Sequence, residues 1–311
     1  MKNSIQSEKN TFSIIIPTFN RAERLKTTLV SLVNQTYNKF EVIICDDGST
    51  DDTKEIVESF KSKLTIKYIW IENWGGPARP RNIGIKTSKT DWICFLDSDD
   101  WWYPNKLEVC LNYIDRYNII YHDLDIYSIA GKVLRRKLKG RKLKGNIFND
   151  LIINGNALCN SSVVIKKDLL NEIGGISEER ALIAVEDYDC WIRIAQIDTK
   201  FKYINKSLGG YWVGNNISAA SQKNINVEQF ITNKYIGLLN AYDKNQALYT
   251  LSYKLGRLYQ KLEDNERAFY CYRKSFYSRS FVIKLKSTLL ILTIKIEKFI
   301  GFVNNILKLK F

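Results

Sequence analysis

Short apolar runs rich in β-branched residues alternate with helix-patterned segments through the N-terminal third of the chain, and each run ends in a polar cluster. Residues 12–16 (FSIII) stop at Pro17 and residues 40–45 (FEVIIC) stop at Asp46-Asp47-Gly48. Between them Leu25, Leu29, Leu32 and Val33 keep the three- and four-residue spacing of a helix. Ser49-Thr50-Asp51 predicts the start of a second helix carrying Ile56, Val57 and Phe60, and residues 64–71 (LTIKYIWI) predict a third strand. Residues 92–96 (WICFL) then form a buried strand that runs directly into Asp97-Ser98-Asp99-Asp100. Strands separated by helices pair in parallel, in a sheet whose faces the helices cover. Ligands of such sheets bind beyond the carboxyl ends of the strands. Pro17-Thr18-Phe19-Asn20, Asp46-Asp47-Gly48, Glu72-Asn73-Trp74 and Asp97-Ser98-Asp99 are therefore expected to converge on one edge.

The remainder is patterned differently. Between about residues 119 and 215 the segments IIYHDLDIY and SSVVIKK are separated by basic and glycine-rich turns, which predicts a mixed or antiparallel extension of the sheet. Lys132–Lys144 holds eight Lys/Arg and no acid, and reads as a solvated loop, with contact to phosphate or lipid as the alternative. After about residue 225 the pattern is helical. Leu255-Gly256, Tyr259, Ala268, Tyr272 and Ser275 approach the spacing of a tetratricopeptide unit, but only one such unit is present, so the segment reads as a helical hairpin. Beyond Phe281 the lysines at 284, 286, 295, 298, 308 and 310 interrupt the apolar residues too often for the roughly 20 uncharged residues of a spanning helix. An amphipathic helix is expected, lying on an anionic membrane surface or packed on the hairpin. The resulting division is a tail at 1–11, a catalytic domain at 12–225, a hairpin at 226–280 and a basic amphipathic helix at 281–311.

Composition narrows the partners. With 47 Lys+Arg against 33 Asp+Glu the formal charge is +14, which suits nucleic acid, anionic lipid or a phosphorylated substrate. No nucleic-acid-binding motif accompanies it, so nucleic acid is not expected. The six cysteines form no CxxC pair and fall mostly in apolar runs, as reduced thiols of a cytoplasmic protein do, and structural zinc is not expected. Met1–Asn10 lacks the apolar core of a signal peptide.

Several clusters carry chemistry. Asp97-Ser98-Asp99 offers two carboxylates to a hard divalent cation, Mg2+ or Mn2+, shared with phosphate oxygens; the plainer reading is a cap for the helix that begins near Pro104. One carboxylate of Asp46-Asp47-Gly48 can accept a hydrogen bond from a nucleobase N–H, although taken alone this is an ordinary turn. Gly75-Gly76-Pro77-Ala78-Arg79-Pro80-Arg81-Asn82-Ile83-Gly84 has the small residues and arginines suited to a diphosphate at a helix start, without the ending of a P-loop. Glu186-Asp187-Tyr188-Asp189 opens an apolar helix and can supply a general base, or simply an acidic first turn. His122 is the sole histidine and no Gly-x-Ser-x-Gly elbow is present, which removes hydrolases of the Ser-His-Asp type.

Taken in order, PTFNR (17–21), DDGSTDDT (46–53), GG-x-ARPRN-x-G (75–84), DSDDWW-x-P (97–104) and EDYD-x-W (186–191) resemble the motifs of family 2 glycosyltransferases. The resemblance covers about residues 12–215. It implies a GT-A fold, an α/β architecture with a Rossmann-like mixed sheet flanked by helices, here followed by a C-terminal helical extension. It further implies a nucleotide-sugar donor with UDP favoured, bound Mn2+ or Mg2+, a glycan acceptor, and inversion at the anomeric carbon. Carried over residue by residue, Pro17, Thr18 and Asn20 line the nucleoside pocket. Asp47, or else Asp46, reads the base. Asn73 and Ser98 join the donor pocket, and Arg81 contacts the diphosphate. Asp99 is the main metal ligand and Asp97 faces the ribose or the metal. Asp187 is the catalytic base with Glu186 orienting it or the acceptor, and Trp102 and Trp191 wall the sugar pocket. Two departures stand out: Tyr211–Asn216 lacks a histidine that would complete the metal shell, and Pro80 stiffens the arginine loop. An acceptor on a lipid carrier at the inner face of a bacterial membrane fits the basic C-terminal helix. A degenerate transferase acting as an assembly subunit is the alternative.

Overall fold

The computed structural model describes residues 11–128, 131–214 and 222–308. The tail at residues 1–10 and the positions Asn215 and Asn216 lie outside them. Internal contacts divide the chain into one unit of Met1–Phe148 with Asn156–Ile217, and another of Asn149–Gly155 with Ser218–Phe311.

The first unit contains β1 (Phe12–Thr18), α1 (Ala22–Val33), β2 (Phe40–Asp46), α2 (Thr53–Phe60), β3 (Ile66–Trp70), α3 (Ala78–Thr87) and β4 (Trp92–Phe95). Next come β5 (Trp101–Trp102), α4 (Lys106–Leu111), β6 (Ile119–Ser128), β7 (Gly131–Leu138) and α5 (Ile147–Asn154), whose residues from Asn149 on belong to the second unit. The unit closes with β8 (Val164–Lys166), α6 (Lys167–Glu172), α7 (Glu186–Ile194) and β9 (Phe201–Trp212). The sheet runs β3-β2-β1-β4-β8-β6-β9-β5, with β7 on β6. Its β3-β2-β1-β4 half is parallel, as the alternation requires, and β8 turns the order antiparallel on both sides.

Side-chain alternation decides which helix packs where. Phe12, Ile14 and Ile16 of β1 share one buried cluster with Leu25, Leu29 and Leu32 of α1, Val57 and Phe60 of α2, and Leu107 of α4. Ile15 points the other way, against α3, where a Cβ at Gly84 would stand 2.5 Å from its side chain. Only glycine lets that helix lie so close to the strand. Each fully buried aliphatic side chain of this kind contributes about 1.5–3 kcal/mol. Val33, expected on the buried face of α1, is exposed.

The basic stretch is a loop only in its second half, residues 139–144. Residues 131–138 form β7, antiparallel to β6. Lysines and arginines on such a strand discourage pairing with another chain.

In the second unit the helices are α8 (Gln222–Ile236), α9 (Ala241–Lys261), α10 (Asn265–Ser275) and α11 (Phe281–Lys308). Among the described residues the helical part runs from Gln222, and residues 149–155 belong to the same unit, so a single division at 225/226 does not separate the two units. α9 and α10 make the expected hairpin. Gly256 of α9 faces the Tyr272 ring, 2.7 Å from where a Cβ would sit, and the Tyr272 hydroxyl donates to Gln260 Oε1 at 2.8 Å. No helix among the described residues is long and apolar enough to cross a membrane.

Candidate active site

β1 has β2 on one side and β4 on the other, so the chain leaves its carboxyl end in opposite directions and opens a crevice there. A cavity of about 560 Å3 occupies that position, a size suited to a nucleotide-bearing ligand. Pro17, Thr18, Asp47, Asn73, Asp97, Ser98 and Asp99 line it from beyond four strand ends, and Arg81 lines it from α3. Phe19, Arg21, Tyr211 and Trp212 line it too, although the sequence reading gave them no role.

The walls are held by hydrogen bonds that consume some of the expected ligand contacts. Asp47 accepts from the backbone N–H of Trp74 at 2.8 Å and of Gly75 at 3.0 Å, and its carbonyl accepts from Asn73 at 2.6 Å. This ties the β2 end to the following glycine loop. The Trp74 ring lies between the guanidinium groups of Arg79 and Arg180, 3.3 and 4.0 Å from its centroid, which stiffens that loop further. The Thr18 hydroxyl is buried with no partner in the protein, which leaves it available to a ligand.

Asp46 and Asn20 depart from the expectation. Asp46 is wholly buried, accepting from Ser49 N at 2.8 Å and from the Tyr68 hydroxyl, so it closes the turn and does not face the cavity. Asn20, at φ 49°, accepts from Thr50 N at 2.8 Å and donates its own N–H to Ser49, stapling the loop after β1 to the loop after β2. It lies outside the cavity wall. Asp51 adds a second tie by accepting from both Ala22 N and Thr53 N, and so begins α1 and α2 together.

The acidic loop after β4 is pinned from behind. Thr28 of α1 donates to the carbonyls of Ser98 and Asp100 at 3.0 and 2.7 Å. Asp100 is buried and accepts from Ser161 and from Trp212 N. None of these carboxylates caps α4, so the capping reading fails. Asp97 and Asp99 remain at the cavity wall, and Asp99 pairs with the half-exposed Arg21. Burial pushes the Asp99 carboxyl up, Arg21 opposes this, and Asp97 adds to it. Among the described residues no three His, Cys, Asp or Glu side chains form a metal cage. Burial and then the Asp99 and Asp97 charges push the buried Asp100 carboxyl well up, so the two carboxylates at the wall are the donors that would fit a hard cation whose shell phosphate oxygens complete.

At the inner end Arg81 is 3% exposed and bridges two acids, donating from Nη1 to Glu186 and from Nη2 to Asp97, each at 2.6 Å. Both terminal nitrogens are therefore engaged within the protein. Asn160 also donates to Asp97, at 3.2 Å. Glu186 receives Ala184 N at 2.8 Å, which fixes the start of α7. Asp187, beside this network and partly exposed, accepts from Tyr188 N at 2.6 Å. Desolvation first, and then the Glu186 charge, push its carboxyl up to about 7. A carboxylate poised near neutrality is a good general base. Asp189 of the same turn is buried and paired with Arg193, a structural contact.

The two tryptophans are not pocket walls. Trp102 is 2% exposed, with its indole N–H donating to the Ser161 carbonyl at 2.7 Å. Trp191 is fully buried with its ring against Phe95. Both sit on the inward phase of their elements. Trp212 takes the place at the cavity, and the Arg24 guanidinium lies 3.5 Å from its ring centroid. His122 is buried between strands, and desolvation followed by the Lys106 charge lowers it to about 3, which makes it a neutral core residue.

A parallel half-sheet with an acidic loop at its crevice, tied through Arg81 to a helix-borne carboxylate pair that lies behind the cavity wall, is the architecture of the GT-A class of transferases, and solved structures of that class share the fold. The Staphylococcus aureus TarS crystal structure superposes with a TM-score of 0.62 at 22% identity, over 92% of this chain and 53% of that one. A Pyrobaculum calidifontis mannosyltransferase, solved with GDP-Man and Mn2+, gives 0.56 at 14% identity over 88% and 89%. The chain belongs to glycosyl transferase family 2, whose sequence profile matches residues 13–174. The amylovoran biosynthesis glycosyltransferase AmsB of Erwinia amylovora is 33% identical over 64% of this chain and 69% of its own. WfgD of Escherichia coli, a UDP-Glc:alpha-D-GlcNAc-diphosphoundecaprenol beta-1,3-glucosyltransferase, is 33% identical over 62% and 72%. Against a glycosyltransferase of Rickettsia bellii, 39% identical, the alignment spans 45% of this chain but only 20% of that relative's length.

Proposed function

We propose that this chain transfers a hexose or N-acetylhexosamine from a nucleotide sugar, a UDP-sugar foremost, to a hydroxyl of a glycan in bacterial surface polysaccharide synthesis, with inversion at the anomeric carbon. The observation that carries the reading is Asp187, raised to about 7 next to the Arg81 bridge that reaches Asp97 at the cavity wall. In this reading Asp187 takes the proton of the attacking acceptor hydroxyl. Arg81, held by Glu186 and Asp97, keeps that base and the acidic loop in register, and its positive charge favours the diphosphate leaving group. Asp47, Asn73, Thr18 and Pro17 form the nucleoside end, and Ser98 lies between the two acids of the loop. Asp99 and Asp97 would hold Mn2+ or Mg2+, which supplies charge neutralisation for the departing diphosphate. Arg21, the half-exposed partner of Asp99, would be available to a donor phosphate if Asp99 held the cation.

The acceptor is proposed to be a glycan on a lipid carrier, at the inner face of the cytoplasmic membrane. The acceptor named for WfgD supports the lipid carrier, and the basic C-terminal helix supports the location. The test is nucleotide release from UDP-, GDP- and dTDP-sugars with Mn2+, Mg2+ or EDTA, beside Asp99→Ala. Metal-dependent release from one donor, lost in the variant, is expected. If no donor is bound or cleaved under any of these conditions, the transferase reading fails and the degenerate assembly subunit takes its place.

A further inference from the structure

α11 has two apolar faces, and only one of them is covered within its unit. Ser287, Leu290, Ile291 and Ile294 turn toward α10, where Ile294 packs with Ala268 and Tyr272 and the Ser287 hydroxyl meets that of Ser275 at 2.7 Å. On the opposite side Phe281, Val282, Leu285, Leu289, Leu292, Ile296 and Ile300 are each about half exposed or more, from 49% to 75%. At about 100° per residue these positions fall within a sector roughly 100° wide, and they run for roughly 30 Å along the helix. A row of large apolar side chains of that length in water marks an interaction surface.

The charges beside the row say what it meets. On the same wheel Lys284 and Lys295 fall along one margin and Lys286 along the other, with Thr288 and Thr293 between the lysines and the apolar row. The one acid after residue 280, Glu297, lies off the row and within 3.5 Å of Asn265 of α10. An apolar stripe edged by cations, with its acid turned toward the bundle, is complementary to acyl chains under anionic headgroups. A second copy of this helix would present like lysines to these lysines. The inward face already anchors the helix, so docking needs no unfolding of the unit.

We propose that the outward face of α11 is a docking surface for an anionic lipid membrane, with the row from Phe281 to Ile300 inserted at the headgroup boundary and Lys284, Lys286 and Lys295 at the phosphates. This rests on the reading of an acceptor carried by a membrane lipid, and it names the part of the chain that meets that membrane.

The experiment is flotation of the full chain with vesicles of phosphatidylglycerol and phosphatidylethanolamine or of phosphatidylcholine alone, with donor release measured in parallel without vesicles. Strong flotation with the anionic vesicles, weakened by salt, is expected. Leu285→Ser/Leu289→Ser/Leu292→Ser/Ile296→Ser, whose changes fall on side chains already in water, should lower it at least tenfold while the circular dichroism melt and donor release stay as in the parent. Lys284→Gln, Lys286→Gln and Lys295→Gln should each weaken anionic binding about fivefold. The proposal is overturned if the parent does not float, if the fourfold variant floats equally, or if the row instead drives a dimer without vesicles that the fourfold variant dissolves. Loss of donor release with flotation intact would count against the transferase reading alone.

Discussion

The two ends of the cavity hold their arginines in opposite ways. At the inner end Arg81 is buried and bridged to two carboxylates, each at 2.6 Å. At the mouth Arg21 is half exposed and has the single carboxylate Asp99. A buried charge is tolerable only while its partners stay, so the inner network is a fixed part of the fold, and removing one member leaves an uncompensated charge. An exposed pair is weak and exchangeable, because water screens it and replaces it at little cost. The mouth is thus the part of the site whose ion pair a ligand could displace, and the inner end is the part that stays fixed.

The largest expected effect is on the base beside the fixed network. Asp187→Asn should lower sugar transfer by about 10²–10⁴-fold while donor affinity, read by titration calorimetry, stays within a few-fold. Equal transfer by the variant removes Asp187 from the chemistry. With a base near 7, kcat/KM should rise tenfold per pH unit from about pH 5 and level off above about pH 7. The residual rate of the Asn variant should lack that limb.

Next comes Arg81→Met, which strands Glu186 and Asp97 and should cost about 3–5 kcal/mol in urea unfolding. A loss below about 1 kcal/mol would mean that the inner end is as exchangeable as the mouth. Asp187 gives a smaller and opposite effect. A carboxyl whose folded pKa lies above its unfolded value favours folding while protonated, and that contribution is lost as pH rises through about 7. Asp187→Asn should therefore match the parent at pH 4 and exceed it by about 1 kcal/mol or more at pH 8. Thermal melts at the two pH values check this, and a difference of the other sign breaks it.

Thr28→Val removes two hydrogen bonds to the acidic loop, and about 1–3 kcal/mol of stability should go with them. Arg21→Gln should be the mildest, within about 1 kcal/mol of the parent. If Arg21→Gln destabilises as much as Arg81→Met, the contrast between the two ends is wrong.

How far the site could be read in advance follows the same division. Pro17, Thr18, Asp47, Asn73, Asp97, Ser98 and Asp99 were legible because each ends or follows an apolar run, and a parallel sheet brings such ends to one edge. Asp46 and Asp47 were not separable, since one residue's difference in register turns one carboxylate into the turn and the other toward the glycine loop. Trp102 and Trp191 carry a composition that suits a pocket wall as well as a core, and only packing shows which they are. Trp212 and Tyr211 had no local signal, because β9 reaches the cavity through its pairing with β5 and β6.

The sequence by itself determined the parallel half of the sheet, the position of the crevice, the acidic loop, the helical hairpin and the family, because periodicity and strand-end chemistry are local properties. The tertiary structure decided what each charge does. Arg81 and Glu186 stand 105 positions apart, and Arg21 and Asp99 stand 78 apart, so neither the bridge nor the exchangeable pair exists until the chain has folded. It also decided that α11 keeps an apolar face in water, since a helix with apolar residues on opposite sides reveals which one is covered only when its neighbour is in place.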